Sequence, residues 1–285
     1  MNHIHWYPGH IAKAQRQLKE KLNLVDVIIE VIDARIPYSS RYKTVNDLCP
    51  NKPRLILLNK SDVSDEIYNK SWAEIIEKET GCKVLITNLS KKNDIKLITN
   101  FVVDLSKEIM QKRLSKGLLI RPTRTMVIGM PNTGKSSTIN RLVGKAKTKT
   151  GAKAGVTREQ QWVRINDKIE LLDTPGIIPT TQEDQKQAVK LAMVNSIGEN
   201  AYEAEYVADE LLKILEKFYK NKLKNYYKLE ENEEISLNNI ALKRNWIIKN
   251  AQADIKRTAL TVLSDFREGK IGKFTLERPE EYGLI

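Results

Sequence analysis

Gly129-Met130-Pro131-Asn132-Thr133-Gly134-Lys135-Ser136 stands between an apolar run, Thr125-Met126-Val127-Ile128, and a segment able to open a helix, Ser137-Thr138-Ile139-Asn140-Arg141-Leu142. The run suits a buried parallel strand. Strand, glycine-rich loop and helix in that order is the setting in which a G-x4-G-K-[ST] pattern cradles phosphate. Backbone N–H groups left without partners at the turn and at the helix start converge on an anion, and the helix dipole adds to the attraction. Gly129 and Gly134 let the backbone bend where a Cβ would clash. Asn132, Thr133, Gly134, Lys135, Ser136 and Ser137 are therefore read as phosphate-binding. The Lys135 ammonium would face the β- and γ-phosphates, and the Ser136 hydroxyl would ligate Mg²⁺. A glycine-rich turn before a surface helix is the plain alternative, and the flanking strand counts against it.

A second apolar run, Ile169-Glu170-Leu171-Leu172, ends in Asp173-Thr174-Pro175-Gly176. Open α/β sheets bind ligands at the carboxyl ends of their strands. Asp173 is thus placed to hold the metal, directly or through water, and the Gly176 amide to sense a γ-phosphate. A third run, Arg54-Leu55-Ile56-Leu57-Leu58, leads into Asn59-Lys60-Ser61-Asp62. Guanine presents two adjacent donors, N1–H and N2–H, which one carboxylate at Asp62 accepts together. Adenine has an acceptor at N1 and no amine at C2, so it would leave that carboxylate unpaired. Asn59 serves guanine N7 or braces the loop, and the Lys60 stem covers the base plane. Thr157, in Gly155-Val156-Thr157, lies where a switch threonine would complete the Mg²⁺ shell. Thr87-Asn88-Leu89, after Lys83-Val84-Leu85-Ile86, occupies the place of the loop that backs the guanine ring, without the usual serine-alanine pattern there.

The order of these parts decides the architecture. In ordinary GTPases the phosphate loop comes before the N-K-x-D tetrad; here the tetrad at 59–62 precedes the loop at 129–136. The chain reads as an α/β fold: a circularly permuted P-loop GTPase domain with a mostly parallel sheet, followed by a small all-α C-terminal domain. The boundary is placed at residues 1–178 and 179–285, because β-type runs fade after Pro179 and helical patterns take over. The segment that senses the γ-phosphate then runs directly into the helical domain through residues 177–181. Within the first part, helices are expected over 8–21, over 65–80 with Ser64 as cap and Gly81 as stop, and over 92–114. A first strand is expected over 25–32, a basic connector over 115–124, a helix start between Thr181 and Asp184, and a loop over 230–236.

Composition sets outer bounds. A chain of 285 residues holds such a domain and a smaller one. Cys49 and Cys82 offer neither a disulfide framework nor a metal cluster and are read as reduced thiols of a cytoplasmic protein. The first residues lack a secretory pattern, and no run of eighteen apolar residues calls for a membrane. The net charge of +12 is unevenly spread: residues 1–178 carry 31 Lys and Arg against 18 Asp and Glu, the remainder 17 against 18. Arg141, Lys145, Lys147, Lys149, Lys153 and Arg158 surround Thr157 with no acid among them. That composition suits a loop that grips phosphate-rich RNA once GTP orders it, the alternative being a solvated lysine-rich loop. Lys217, Lys220, Lys224 and Lys228 recur at helical spacing among Phe218, Tyr219, Tyr226 and Tyr227. They read either as a cationic stripe for RNA or as an amphipathic helix whose aromatics fill the core.

The chain resembles the ribosome biogenesis GTPase A family within the circularly permuted GTPases. Trp6-Tyr7-Pro8-Gly9-His10, Asp33-Ala34-Arg35-Ile36-Pro37, the tetrad, the phosphate loop, Asp173-Thr174-Pro175-Gly176 and Asp265-Phe266-Arg267-Glu268-Gly269-Lys270 carry the resemblance over nearly all of the sequence. It implies a cytoplasmic factor that uses GTP, GDP and Mg²⁺ and acts late in assembly of the large ribosomal subunit. Its partners would be the subunit precursor, rRNA and ribosomal proteins, with no membrane, and a monomer is expected. The resemblance also implies that His10 of the Pro-Gly-His motif is catalytic, since Ile177 and Ile178 stand where many GTPases carry a water-orienting glutamine. Helix capping and RNA contact are the alternatives for His10. Low intrinsic hydrolysis, stimulated by the ribosome, is the corresponding expectation. Asn132 resembles the asparagine of GTPases that bind K⁺ between the phosphates, or else it braces the loop by hydrogen bonds. The competing class is an RNA-binding scaffold with a structural nucleotide site, or an assembly factor for a different RNA such as that of the small subunit. Lys135, Ser136, Thr157 and Asp173, kept together, favour the switch.

Overall fold

In the computed structural model, residues 4, 11–48, 50–89, 92–144, 161–173 and 184–284 are described. The apolar runs become β1 (Val27–Asp33), β2 (Arg54–Asn59), β3 (Lys83–Ile86), β4 (Thr123–Gly129) and β6 (Ile169–Asp173), joined by β5 (Gln161–Arg164). They form one sheet in the order β3-β2-β1-β4-β6-β5. Every pairing is parallel except that of β5, which runs antiparallel to β6 at the edge. β1 and β2 are buried along their whole length, so their apolar residues show no alternation, and the charged Glu30 and Arg54 within them pair with each other at 3.1 Å. β5 was not foreseen. It is four residues long and carries Gln and Arg at its ends, so it gives no strand signal of its own.

The pleat sends alternate residues to opposite faces. Val27, Ile29, Val31, Leu55, Leu57, Val127 and Leu171 meet Ile98, Val102 and Leu142, which lie on α4 (Lys92–Ser115) and α5 (Lys135–Val143). On the other face Ile32, Ile56 and Leu58 meet Trp72 and Ile76 of α3 (Glu66–Thr80). Ile28, Met126, Ile128 and Leu172 continue that face against α1 (Ile11–Leu22) and the C-terminal helices. Those helices are α6 (Gln185–Met193), α7 (Ala204–Tyr227), α8 (Leu237–Lys243) and α9 (Ile255–Arg267); a single turn, α2 (Val45–Leu48), precedes β2. The all-α part therefore shares one hydrophobic core with the sheet. Among the described residues no helix is long and apolar enough to cross a membrane.

Three expectations need correction. Asp65, not Ser64, caps α3, accepting from the Ile67 amide at 3.1 Å; Ser64 is buried and donates to Asn69 Oδ1 at 2.8 Å. Gly81 ends the helix in the left-handed conformation, as expected, at φ 64°. The lysine stripe is not one cationic face. Lys224 is buried and its ammonium donates to the Glu230 and Glu231 carbonyls, Lys228 is the left-handed cap of α7, and the helix breaks at Tyr219 (φ −142°, ψ 29°). Tyr219 and Tyr227 fill the core instead. Finally, the chain after α9 is not helical until a 3-10 turn at Pro279–Tyr282. It runs back across the GTPase part: the Phe274 amide donates to Val63 O at 3.1 Å, the Leu276 amide to Arg35 O at 2.7 Å, and Trp72 Nε1 to Glu277 O at 3.1 Å.

Candidate functional site

β1, β2, β3, β4 and β6 point their carboxyl ends the same way, so the loops that follow them gather at one sheet edge. The chain order reverses between β1 and β4, which places the phosphate loop at the switch point where open α/β sheets hold ligands. Steric constraint explains both loop glycines. Gly129 has φ 154° and a Cβ there would lie 2.3 Å from Val31 O; Gly134 has φ 109° and a Cβ would lie 2.1 Å from Asn59 Nδ2. Gly134 caps α5 without any side chain, so the amides of the first turn are left for an anion. Thr133 is buried and its hydroxyl donates to Met130 O at 2.9 Å, which closes the turn.

Lys135 opens α5 and folds back over the loop, donating from Nζ to Met130 O at 2.6 Å. Burial lowers its pKa to about 8. The ammonium is partly desolvated against a neutral carbonyl, and a polyphosphate would supply the missing countercharge. Ser136 and Ser137 lie exposed in the first turn of the same helix. Asp173 is the last residue of β6, paired in register with Gln161. His10, Thr157, Gly176, the basic loop around Thr157 and the 177–181 connection lie outside the described residues.

The tetrad and the phosphate loop touch directly. Asn59 Nδ2 donates to Thr133 O at 2.8 Å across the sheet edge, so the side chain read as serving N7 or bracing the loop makes the second contact. Thr87 is buried, with its hydroxyl 3.4 Å from Asn59 Oδ1, and its backbone joins the two loops through Ser61 N to Thr87 O at 3.1 Å. The Asn88 amide donates to Asp94 Oδ2 at 3.2 Å, and Leu89 packs its side chain into the core beside Gly134. Asp62 is exposed at the end of the tetrad, and Lys60 sits at φ 66° with Nζ 2.9 Å from Asp33 Oδ2.

This arrangement brings the Asn59-Lys60-Ser61-Asp62 tetrad and the Gly129–Ser136 loop to a single sheet edge in permuted order, and the chain is similar to known proteins. A family model described as "50S ribosome-binding GTPase" matches residues 124–250. A ribosome biogenesis GTPase A from Bacillus cereus is 40% identical over 98% of this chain and 95% of its own length. The chain belongs to the ribosome biogenesis GTPase A family. A member from Thermotoga maritima is 32% identical over 97% of this chain and 95% of its own. Two solved structures of T. maritima YlqF, GDP-bound and GNP-bound, superpose with TM-scores of 0.67 and 0.64 at 28% identity, covering 93% and 94% of this chain and 100% and 99% of theirs. The protein accordingly binds guanine nucleotide and hydrolyses GTP, on a circularly permuted GTPase fold.

Residues beyond the motifs hold the site in place. Asn132, at φ 58°, donates from Nδ2 to Asn195 O at 2.5 Å, and Ser196 Oγ donates to Pro131 O at 2.7 Å. The phosphate loop is thus braced by the chain that leaves α6. Asn195 and Ser196 carry no motif, and only the fold shows them. Asp33 and Arg35 entered through the resemblance alone; an acid closing a mostly apolar strand, at the edge where the motifs end, was the available signal.

Proposed function

We propose that this chain is a GTP-hydrolysing switch that binds the precursor of the large ribosomal subunit and promotes its late maturation in the cytoplasm, with slow intrinsic hydrolysis accelerated by the ribosome. The Asn59 bond to the phosphate loop supports this reading, because it joins the tetrad to that loop at one sheet edge. The names of the relatives and of the matching family model supply the ribosomal target. Asp62 reads guanine, while Asn132 to Ser137 hold the phosphates with Lys135 as their countercharge. Ser136, Thr157 and Asp173 would hold Mg²⁺, and their hydroxyl and carboxylate oxygens suit a hard cation. Bound there, the ion neutralises charge on the β- and γ-phosphates. Asn132 spends its amide nitrogen on Asn195 O and keeps Oδ1 for a K⁺ ion. The Gly176 amide senses the γ-phosphate, and the 177–181 connection passes that change to the helical domain at 179–285.

In this reading His10 orients the attacking water. His10→Ala is expected to abolish ribosome-stimulated GTP turnover while GTP affinity stays within about twofold, since a water-orienting group adds to the transition state and not to ground-state binding. Steady-state turnover with and without large-subunit particles, beside nucleotide titration, tests this; full turnover in the variant would overturn the assignment. An absence of any stimulation in the parent protein would instead favour an RNA-binding scaffold.

A further inference from the structure

Asp33 ends β1 in register with Asn59. Its buried carboxylate is shared between two cations. Arg35 donates from Nε to Oδ1 at 3.0 Å and from Nη2 to Oδ2 at 2.7 Å, and its backbone amide adds a third bond at 3.0 Å. Lys60 Nζ lies 2.9 Å from the same Oδ2. Burial opposes ionisation of Asp33, but the charges of Arg35 and Lys60 outweigh it and hold the carboxyl well below the usual range. Arg35 cannot leave: its side chain is 1% exposed, and Nη1 donates to Arg267 O at 3.2 Å.

Lys60 sits in the left-handed backbone region, which a residue with a Cβ occupies only when its surroundings impose it. Its ammonium lies within electrostatic reach of a second carboxylate, Asp62. Asp62 is exposed and has no hydrogen-bond partner among the described residues. One ammonium, held by Asp33, is therefore attracted by two carboxylates, and the one that takes it loses acceptor capacity.

We propose that Asp33 is a positioning residue for base selection: by holding the Lys60 ammonium beneath the loop, it keeps the Asp62 carboxylate open to the two adjacent N–H donors of guanine. The inference rests on the reading that Asp62 recognises the base. Without the charge of Asp33, the fixed Arg35 cation repels Lys60 and drives its ammonium towards Asp62, where it competes with the nucleotide.

The test compares Kd for GTP with Kd for ITP, which lacks the 2-amino group and so reports the Asp62 contact. Asp33→Asn is expected to lower the GTP-over-ITP preference at least about fivefold, within the range that one hydrogen bond to a charged group supplies. Adding Lys60→Met to that variant removes the competing ammonium and restores the preference, a rescue that a general loosening of the loop would not produce. Lys60→Met alone weakens both nucleotides by a common factor through lost cover of the base and preserves their ratio; this decides the matter should Asp33→Asn fail to fold. An unchanged ratio in folded Asp33→Asn, or a collapsed ratio in Lys60→Met, overturns the proposal. Asp62→Asn separates the two layers. If it keeps the preference, the base-reading assignment itself fails; if it loses the preference while Asp33→Asn retains it, only the role of Asp33 fails.

Discussion

At Gly134 the space for a side chain is already occupied. A methyl group there would stand 2.1 Å from Asn59 Nδ2, in a backbone conformation of φ 109° that L-residues rarely adopt. Gly134→Ala is therefore expected to break the Asn59–Thr133 bond and lower GTP affinity more than tenfold, about 1.4 kcal/mol or more. Nucleotide titration checks it, and near-parental affinity would show that the loop yields. Lys135 supplies a second prediction. With its pKa near 8 in the free site, phosphates in the complex raise it, so binding is at full strength below pH 8 and weakens as pH rises through that value. Between pH 8 and 9 affinity falls about fivefold, approaching tenfold per unit above pH 9, with up to one proton taken up on binding. Calorimetry in two buffers of different ionisation enthalpy measures that proton, and Lys135→Met should abolish the uptake.

At the scale of elements, the end of α6 does more than close a helix. Arg267 of α9 donates from Nε to Met193 O at 3.0 Å and from Nη2 to Ala192 O at 2.9 Å, capping the last carbonyls of the helix, of which Ala192 O also accepts from the Asn195 amide at 3.0 Å. Two residues further on, Asn195 and Ser196 grip the phosphate loop. Arg267→Ala leaves the Met193 carbonyl without its donor, while Ala192 O keeps the Asn195 amide, at a cost of about 1–3 kcal/mol. It should also weaken GTP binding, although Arg267 lies on the helical side; urea unfolding and nucleotide titration read the two effects, and loss of stability alone would separate the brace from the site. The sequence shows such elements unequally. β1, β2 and β4 are legible because strands covered on both faces place apolar residues on both, with few polar interruptions, and the loops are legible because phosphate demands glycine at fixed spacing. The lysines of α7 misled, since spacing cannot say that Lys224 turns inward or that the helix breaks at Tyr219. Nor could it pair Lys60 with Asp33, which become neighbours only through parallel strands joined by a crossover.

At the scale of the whole molecule, the least legible feature is the tail. Glu277 is fully buried, and its carboxylate accepts from the Tyr38 amide at 2.7 Å, the Ser39 hydroxyl at 2.5 Å and the Tyr282 hydroxyl at 2.7 Å. Nothing near 277 in sequence announces partners at 38 and 39. Tyr282 stacks on Tyr38 at 3.9 Å between centroids, so residues 277–282 clasp the side of the sheet that carries the Asn59–Asp62 tetrad. Meanwhile Ile28, Met126, Ile128 and Leu172 of the sheet lie in one core with Leu191, Leu211, Leu215, Val262 and Phe266 of the helices. Separating the two parts would expose that entire face to water, at roughly 25 cal/mol per Å² of apolar surface. The helical part should therefore unfold with the sheet in one transition. Far-ultraviolet circular dichroism, which follows the helices, and tryptophan fluorescence in a Trp6→Phe, Trp246→Phe background, which then follows Trp72 beneath the sheet and Trp162 on β5, should give coincident melting curves. GTP at a hundredfold excess over Kd should move both curves together, by about 2.7 kcal/mol of added stability. A helical transition that precedes the other and ignores GTP would mean that the boundary near residue 178 is thermodynamic as well as topological. Signals from the nucleotide would then have to pass through the 177–181 connection alone, and not also through the tail and the brace at α6.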